Sequence, residues 1–315
     1  MPRPDRHAPS RTAPHEPGRG RARPGKPLTR EVGDGQSHDV PRLVRAPSLL
    51  LAFLGIHLLA VWTPIGQWAE NSLIRGYADR ARILPLAQSW GPPPLTDETA
   101  TVATGLVVIA AVTLVRRCWR EGCAAVATVV VTLAATEALS RYVLVRPDLV
   151  GADDNLRAAS FPSGHVAIAA ALTLGLLLVT PGRVRGYVAT AGALWVAVIA
   201  GAVQALYWHR PSDVLGATLL ACAAHSAVGR LLAAGPTASR RGARLALVLV
   251  AAGAVAAASR EDGVARPLVF AAAAFASGAL VWSVAALDAR AAPREPDDRS
   301  GGTGSAKRTT APLGW

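Results

Sequence analysis

The sequence predicts an all-α fold, a polytopic helical membrane bundle of about eight spans. Three observations carry that expectation. Hydrophobic residues make up 51% of the 315-residue chain while aromatics make up 5%, so the apolar content is chiefly Ala, Val and Leu. That content gathers into long runs, each near the roughly 20 residues that cross a bilayer core. The basic residues, which set a net charge of +12, stand in the tails and in short loops between those runs. This is the charge pattern of membrane orientation and not of a nucleic-acid-binding face, and no nucleic-acid-binding module is recognisable.

Residues 1–46 are rich in Pro, Arg, Gly and His and have no apolar periodicity, so they are expected to form a disordered basic tail. They do not read as a signal peptide, because the first apolar segment begins near Ser48 and no small-residue cleavage site follows it. Apolar segments then lie at about 48–65, 100–115, 123–140, 164–180, 187–207, 213–233, 244–259 and 267–288. Residues 47–240 form the expected membrane core, 241–289 add two further transmembrane helices, and 290–315 form a polar C-terminal tail.

Orientation follows from the loops. Arg42 and Arg45, then Arg116, Arg117 and Arg120, then Arg183 and Arg185, then Arg240, Arg241 and Arg244 all fall on one side if eight spans alternate. The positive-inside rule makes that side cytoplasmic. Both termini are then inside, and the loops at about 66–99, 141–162, 208–212 and 260–266 are outside. The loop over 66–99 holds Trp68, Trp90, the Pro92–Pro94 run, Glu70, Asp97 and Glu98. It is either an interfacial helix or lid, or a solvated connector with Trp at the interface. Lys26 and Lys307 are the two lysines among 33 basic residues, an Ala- and Arg-rich bias that suggests a bacterial chain of high-GC coding and hence the plasma membrane. The cysteines Cys118, Cys123 and Cys222 imply neither a disulfide framework nor a zinc site.

Three polar constellations stand at the outer ends of spans. Arg141 and Arg146-Pro147 end the third span, where two guanidiniums either bind a phosphate or anchor the interface. Pro162-Ser163-Gly164-His165 opens the fourth. Ser is a good helix cap, backbone N–H groups at a helix start bind anions, and Gly permits close approach. A histidine on that first turn is placed to donate a proton. His209-Arg210-Pro211-Ser212-Asp213 opens the sixth, and the four-residue spacing puts His209 and Asp213 on one helical face. Each motif alone is equally a plain cap or an interfacial residue. Together they concentrate two histidines, a carboxylate and several arginines at one membrane face, where such groups tend to be functional.

In this combination and order the chain resembles the membrane branch of the type 2 phosphatidic acid phosphatase family, related to bacterial acid phosphatases and vanadium haloperoxidases. The resemblance covers about 100–233 and implies a six-helix phosphatase-like core. It implies that His209 attacks phosphorus and becomes phosphohistidine, that Asp213 orients it, and that His165 protonates the leaving group and then activates water. Ser163 and Gly164 would hydrogen-bond phosphate oxygens, and Arg141 and Arg146 would supply positive charge. No cofactor and no metal are implied, because arginines and backbone N–H groups stabilise the transition state.

The chain also departs from the family pattern. Four residues separate Arg141 from Arg146, where the family pattern has six between its Lys and its Arg-Pro. The Ser-Arg pair of the third motif falls at Ala202 and Val203, so that arginine is absent, and losing one such donor lowers a rate on the order of 100-fold or more. Arg210 and Arg157 are the candidates to replace it. Glu137, one turn before Arg141, faces the site or pairs with an arginine, while His57 and His225 are expected to be packed or interfacial and the Asp153–Asp154 pair solvated. The expected partners are the bilayer and a lipid phosphate, a polyprenyl diphosphate or a phosphatidic-acid-type lipid. A phosphotransferase with the same residues and a non-catalytic lipid-binding or structural relative are the alternatives.

Overall fold

The computed structural model describes residues 42–75, 97–231, 243–259 and 264–288. Residues 1–41 of the expected basic tail, the polar tail from 290, Trp90, the Pro92–Pro94 run, Arg240 and Arg241 lie outside the described residues. All regular structure among the described residues is helical.

The elements are α1 (Arg42–Val61), α2 (Pro64–Ile74), α3 (Glu98–Arg116), α4 (Trp119–Ala138) continued by a π-helical turn (Leu139–Val143), and a single turn α5 (Asp154–Arg157). Then come α6 (Gly164–Val179), α7 (Gly182–Ala205), α8 (Pro211–Leu231), α9 (Ala243–Ala258) and α10 (Ala265–Asp288). Among the described residues each of the eight expected apolar segments is helical, the first of them broken in two at Trp62-Thr63. Five helices are long and apolar enough to cross a membrane, and a sixth crossing results if α1 and α2, bent by 79° at their junction, count as one. The other two, α6 and α9, are 16 residues each. Sixteen residues rise about 24 Å, short of a roughly 30 Å hydrocarbon core.

Local chemistry sets the ends. α1 stops at Thr63-Pro64, where Thr63 caps α2 by accepting the Gly66 N–H at 3.0 Å and proline opens the new helix. Asp97 caps α3 through the Ala100 N–H at 2.9 Å, and Arg117 ends it in the left-handed conformation.

α6 is the central helix, with most of its side chains buried and with α3, α4, α7 and α8 packed around it. Its C-terminal carbonyls are held by two arginines. Arg185 donates to Leu177 O at 3.0 Å and Thr180 O at 2.7 Å, and Arg116 donates to Val179 O. Cations at a helix C-terminus oppose its partial negative charge. Two of the basic clusters therefore meet at one end of α6, and Ser163 and His165 stand at the other.

On its far side α7 packs against α9 and α10 through small residues. A Cβ on Gly278 would lie 2.7 Å from Ala193 O, so glycine there lets two backbones touch. Close backbone approach is how helices associate where water supplies no hydrophobic drive. Outward, Leu51, Leu59, Val107, Val115 and Val248 are exposed, an apolar surface suited to lipid.

Candidate active site

The turn from α7 to α8 carries His209. Leu206 ends α7, Tyr207 follows at φ 58°, the Trp208 N–H bonds Val203 O at 3.0 Å and the Tyr207 N–H bonds Gln204 O at 2.9 Å. This is a Schellman closure with tyrosine where glycine is usual. A non-glycine residue held there costs roughly 1–2 kcal/mol. The Tyr207 hydroxyl accepts from Arg266 Nη1 of α10 at 3.0 Å, and its ring packs edge-on against Phe270. The His209 N–H also reaches Val203 O, at 3.2 Å.

Proline then opens α8, and Asp213 falls in its first turn, fully buried. Asp213 Oδ2 lies 3.4 Å from His209 Nδ1, accepts the Arg210 N–H at 2.8 Å and accepts the Ser160 hydroxyl at 2.6 Å. The His209 distance exceeds an ordinary hydrogen bond, as catalytic contacts often do before substrate binds. The pairing still assigns the Nδ1 proton toward the carboxylate and leaves Nε2 free to act as a nucleophile.

The Pro162-Ser163-Gly164-His165 segment is fixed to α8 through its backbone, because the Ser163 N–H donates to Asp213 O at 3.1 Å. Ser163 caps α6 through the Val166 N–H at 3.5 Å and is itself fully buried. The His165 and His209 rings stand edge-on with centres 5.7 Å apart, so one phosphoryl group can be reached by both. Trp208 flanks His165 at 5.4 Å. A Cβ on Gly164 would meet nothing within 4 Å, and a cavity of about 630 Å³ opens beside it, walled by Val102, Leu106, Leu133 and Ile168.

The arginines divide into two groups. Arg210 is buried, and the side chain of Arg146 is 5% exposed. Arg210 Nη1 donates to Ser160 Oγ at 2.7 Å, and its Nη2 donates to Leu156 O at 2.6 Å and to Asn71 Oδ1 at 3.5 Å. Arg146 Nη2 donates to the same Asn71 oxygen at 3.1 Å, and its Nη1 lies 3.9 Å from Glu70 Oε2. Burial, followed by the Arg210 charge, holds Arg146 below the ordinary arginine value. Arg141 and Arg157 lie elsewhere. Arg141 pairs with Glu137 at 2.6 Å, both more than half exposed. Arg157 braces its own loop on Asp148 at 3.2 Å and Asp154 at 3.3 Å. The Ala152 N–H, above all, holds the Asp148 carboxyl below its usual value. Val203 is fully buried in the apolar core of α6, α7 and α8 and serves the turn through its carbonyl.

Asn71 and Ser160 were not named from the sequence, and Glu70 and Glu98 were named only as members of the loop over 66–99, without a role in the site. Glu70 Oε1 accepts the Ser212 N–H at 3.1 Å, satisfying a donor at the start of α8. Asn71 joins Arg146 and Arg210. Glu98, at the start of α3, lies 3.2 Å from His165 Nε2. The signal available for the α2 pair was the Thr63-Pro64 helix start with Gln67, Glu70 and Asn71 spaced along one face. Around these groups Glu70 Oε2, His209 Nδ1, Arg210 Nε, Ser212 Oγ and Asp213 Oδ1 are buried and unbonded. Among the described residues no group of three or more His, Cys, Asp or Glu is arranged to hold a metal ion.

Residues 122–234 match the family model of the PAP2 superfamily. The matched stretch contains Arg141, Arg146, Ser163, Gly164, His165, His209 and Asp213, and leaves α1, α2, α3, α9 and α10 outside it. No curated protein and no solved structure matches the chain.

Proposed function

Because residues 122–234 belong to the PAP2 superfamily, we propose that the chain is an integral membrane lipid phosphatase acting through a phosphohistidine. The observation that carries the reading is the pairing of His209 with the buried Asp213 while His165 faces His209 edge-on at 5.7 Å. The His209 Nε2 lone pair attacks phosphorus as the bond from phosphorus to the leaving oxygen breaks. His165 gives its proton to that oxygen, and the developing charge on the phosphoryl oxygens falls to Arg146, Arg210 and the backbone N–H groups opening α6. A water then attacks phosphorus, His165 takes its proton, the P–N bond breaks, and inorganic phosphate leaves with His209 restored. The fixed cations and N–H groups supply the charge, so the scheme calls for no metal.

The substrate class is a phosphate monoester or diphosphate on a lipid, of polyprenyl diphosphate or phosphatidic-acid type. Support comes from the cavity that opens directly beside Gly164, walled mostly by apolar side chains with Glu98 and Glu137 also on its lining. The proposed setting is the plasma membrane, with eight crossings, both termini cytoplasmic and the site extracytoplasmic. Arg116 and Arg185 at the opposite end of α6 from His165 support that sidedness.

The test is phosphate release from polyprenyl diphosphate and from phosphatidic acid by purified protein, with and without chelator, beside His209→Ala. Release that survives chelator and vanishes in the variant is expected. Equal release by wild type and variant would remove the reading, and transfer of the phosphoryl group to an added alcohol in place of water would move it to a phosphotransferase.

A further inference from the structure

α2 lies outside the family match, yet two consecutive residues near its end enter the buried polar cluster. Asn71 Oδ1 accepts from Arg146 Nη2 at 3.1 Å and from Arg210 Nη2 at 3.5 Å. These arginines come from different parts of the chain, carry like charge and have buried side chains, so they repel strongly unless something holds them. Arg210 has other anchors, in Ser160 and Leu156. The polar partners described for Arg146 are both on α2, namely Asn71 and, more distantly, Glu70. The helix is itself seated by Glu70 on the Ser212 N–H and by Gln67, whose Nε2 donates to Pro147 O at 2.6 Å and whose Oε1 accepts the Leu149 N–H at 3.2 Å.

The chemistry of the acceptor matters. A carboxylate between two guanidiniums would bind them more strongly and cancel one of their charges. A carboxamide oxygen bonds both without adding a further negative charge beside them. With valine at position 203, Arg210, next to His209 in the chain, and Arg146, joined to it through Asn71, are the arginines the structure gathers in this cluster.

We propose that Asn71 is a positioning residue of the site, a neutral acceptor that holds Arg146 and Arg210 together as one phosphate-stabilising pair. The inference rests on the phosphatase reading above. It predicts different fates for two substitutions. Asn71→Ala releases Arg146, so kcat falls about 10- to 100-fold, within the range for a lost charge-stabilising donor, and falls by a larger factor than KM rises. Asn71→Asp keeps an acceptor in place, so the melting temperature is held or raised, yet kcat still falls at least about 10-fold because one positive charge is neutralised. A purely structural asparagine would be well served by aspartate, and that variant would then be stable and fully active.

The experiment uses full-length protein in detergent, with phosphate release, thermal unfolding and inhibition by orthovanadate measured on wild type, both Asn71 variants and Ser72→Ala, a half-buried neighbour whose hydroxyl bonds back to Ala69 O and which is expected to match wild type. Weakened orthovanadate inhibition in both Asn71 variants, alongside the rate losses, supports the proposal. Wild-type kcat in folded Asn71→Ala, or full activity in Asn71→Asp, overturns it alone. A folded wild type that releases no phosphate and gains no thermal protection from orthovanadate overturns the phosphatase reading and this proposal together.

Discussion

Glu98 Oε1 and His165 Nε2 meet at 3.2 Å, bringing the first turn of α3 against the first turn of α6 although all of α4 lies between them in the chain. A carboxylate at this distance can accept from the Nε2 N–H and so orient the imidazole that is to pass a proton. Glu98 is half exposed, so the effect is partly screened. Glu98→Gln is expected to lower kcat by about 10-fold, at the low end for acid–base groups, with little change in thermal stability. An unchanged kcat on the same lipid substrate would show that the pair is incidental to the chemistry.

Ser160 gives a sharper loss. One hydroxyl accepts from Arg210 and donates to Asp213, so removing it strips a partner from two buried charged groups at once. Bonds to charged groups contribute about 1.5–3 kcal/mol each. Ser160→Ala is therefore expected to lower kcat by about 10-fold or more and to reduce the melting temperature by several degrees, both read on the same purified sample. Retention of both values would mean that Asp213 is held well enough by the Arg210 N–H alone.

Restoring the family's arginine at the third motif is expected to fail. Val203 is fully buried among apolar side chains of α6, α7 and α8, and its carbonyl closes the turn that presents His209. An unpaired guanidinium in that core destabilises by several kcal/mol. Val203→Arg should thus express poorly or unfold at lower temperature, as measured by detergent-resistant size-exclusion yield. A well-folded and faster enzyme would show instead that the core opens toward the phosphate.

Gly216 tests the seating of the serine–glycine loop. A Cβ there would come within 2.5 Å of the Phe161 ring, which packs between Phe53, His57 and α8 just ahead of Pro162 and Ser163. Gly216→Ala must push that ring aside, at an expected 1–3 kcal/mol for overpacking, given as an approximate range. The predicted signature is a lower melting temperature with a loss of kcat larger than that of a remote glycine substitution such as Gly55→Ala, where the added methyl meets nothing.

The bundle was legible because membrane helices announce themselves by length and apolarity, and all eight expected segments are helical. The crossing number was less so. α6 and α9 are too short to meet the length criterion, and the α1–α2 bend turns one apolar run into two helices. In the site, the motif spacings brought His165, His209 and Asp213 to attention, and the structure gathers them. Asn71 escaped, and Glu70 and Glu98 were noted only as members of a possible lid, because their roles depend on tertiary contacts with residues far along the chain. In sequence, a Gln, a Glu and an Asn on a short helix between spans look like a solvated connector. Only their burial against two arginines separates them from one. The same blindness applies to the arginines, since charge and proximity to a motif do not tell Arg141, paired outward with Glu137, from Arg146, turned inward.

Tyr207 stands in a backbone conformation that glycine usually takes, and both Arg266, which donates to its hydroxyl, and Phe270, which packs on its ring, come from a helix beyond the family match. Lifted out as residues 122–234, the matched segment would keep every letter of its motifs while losing the Arg266 bond to Tyr207 and the Asn71 bond to Arg146. Swapping this segment into a relative, or grafting a relative's segment here, should transfer the chemistry only if the flanking helices travel with it.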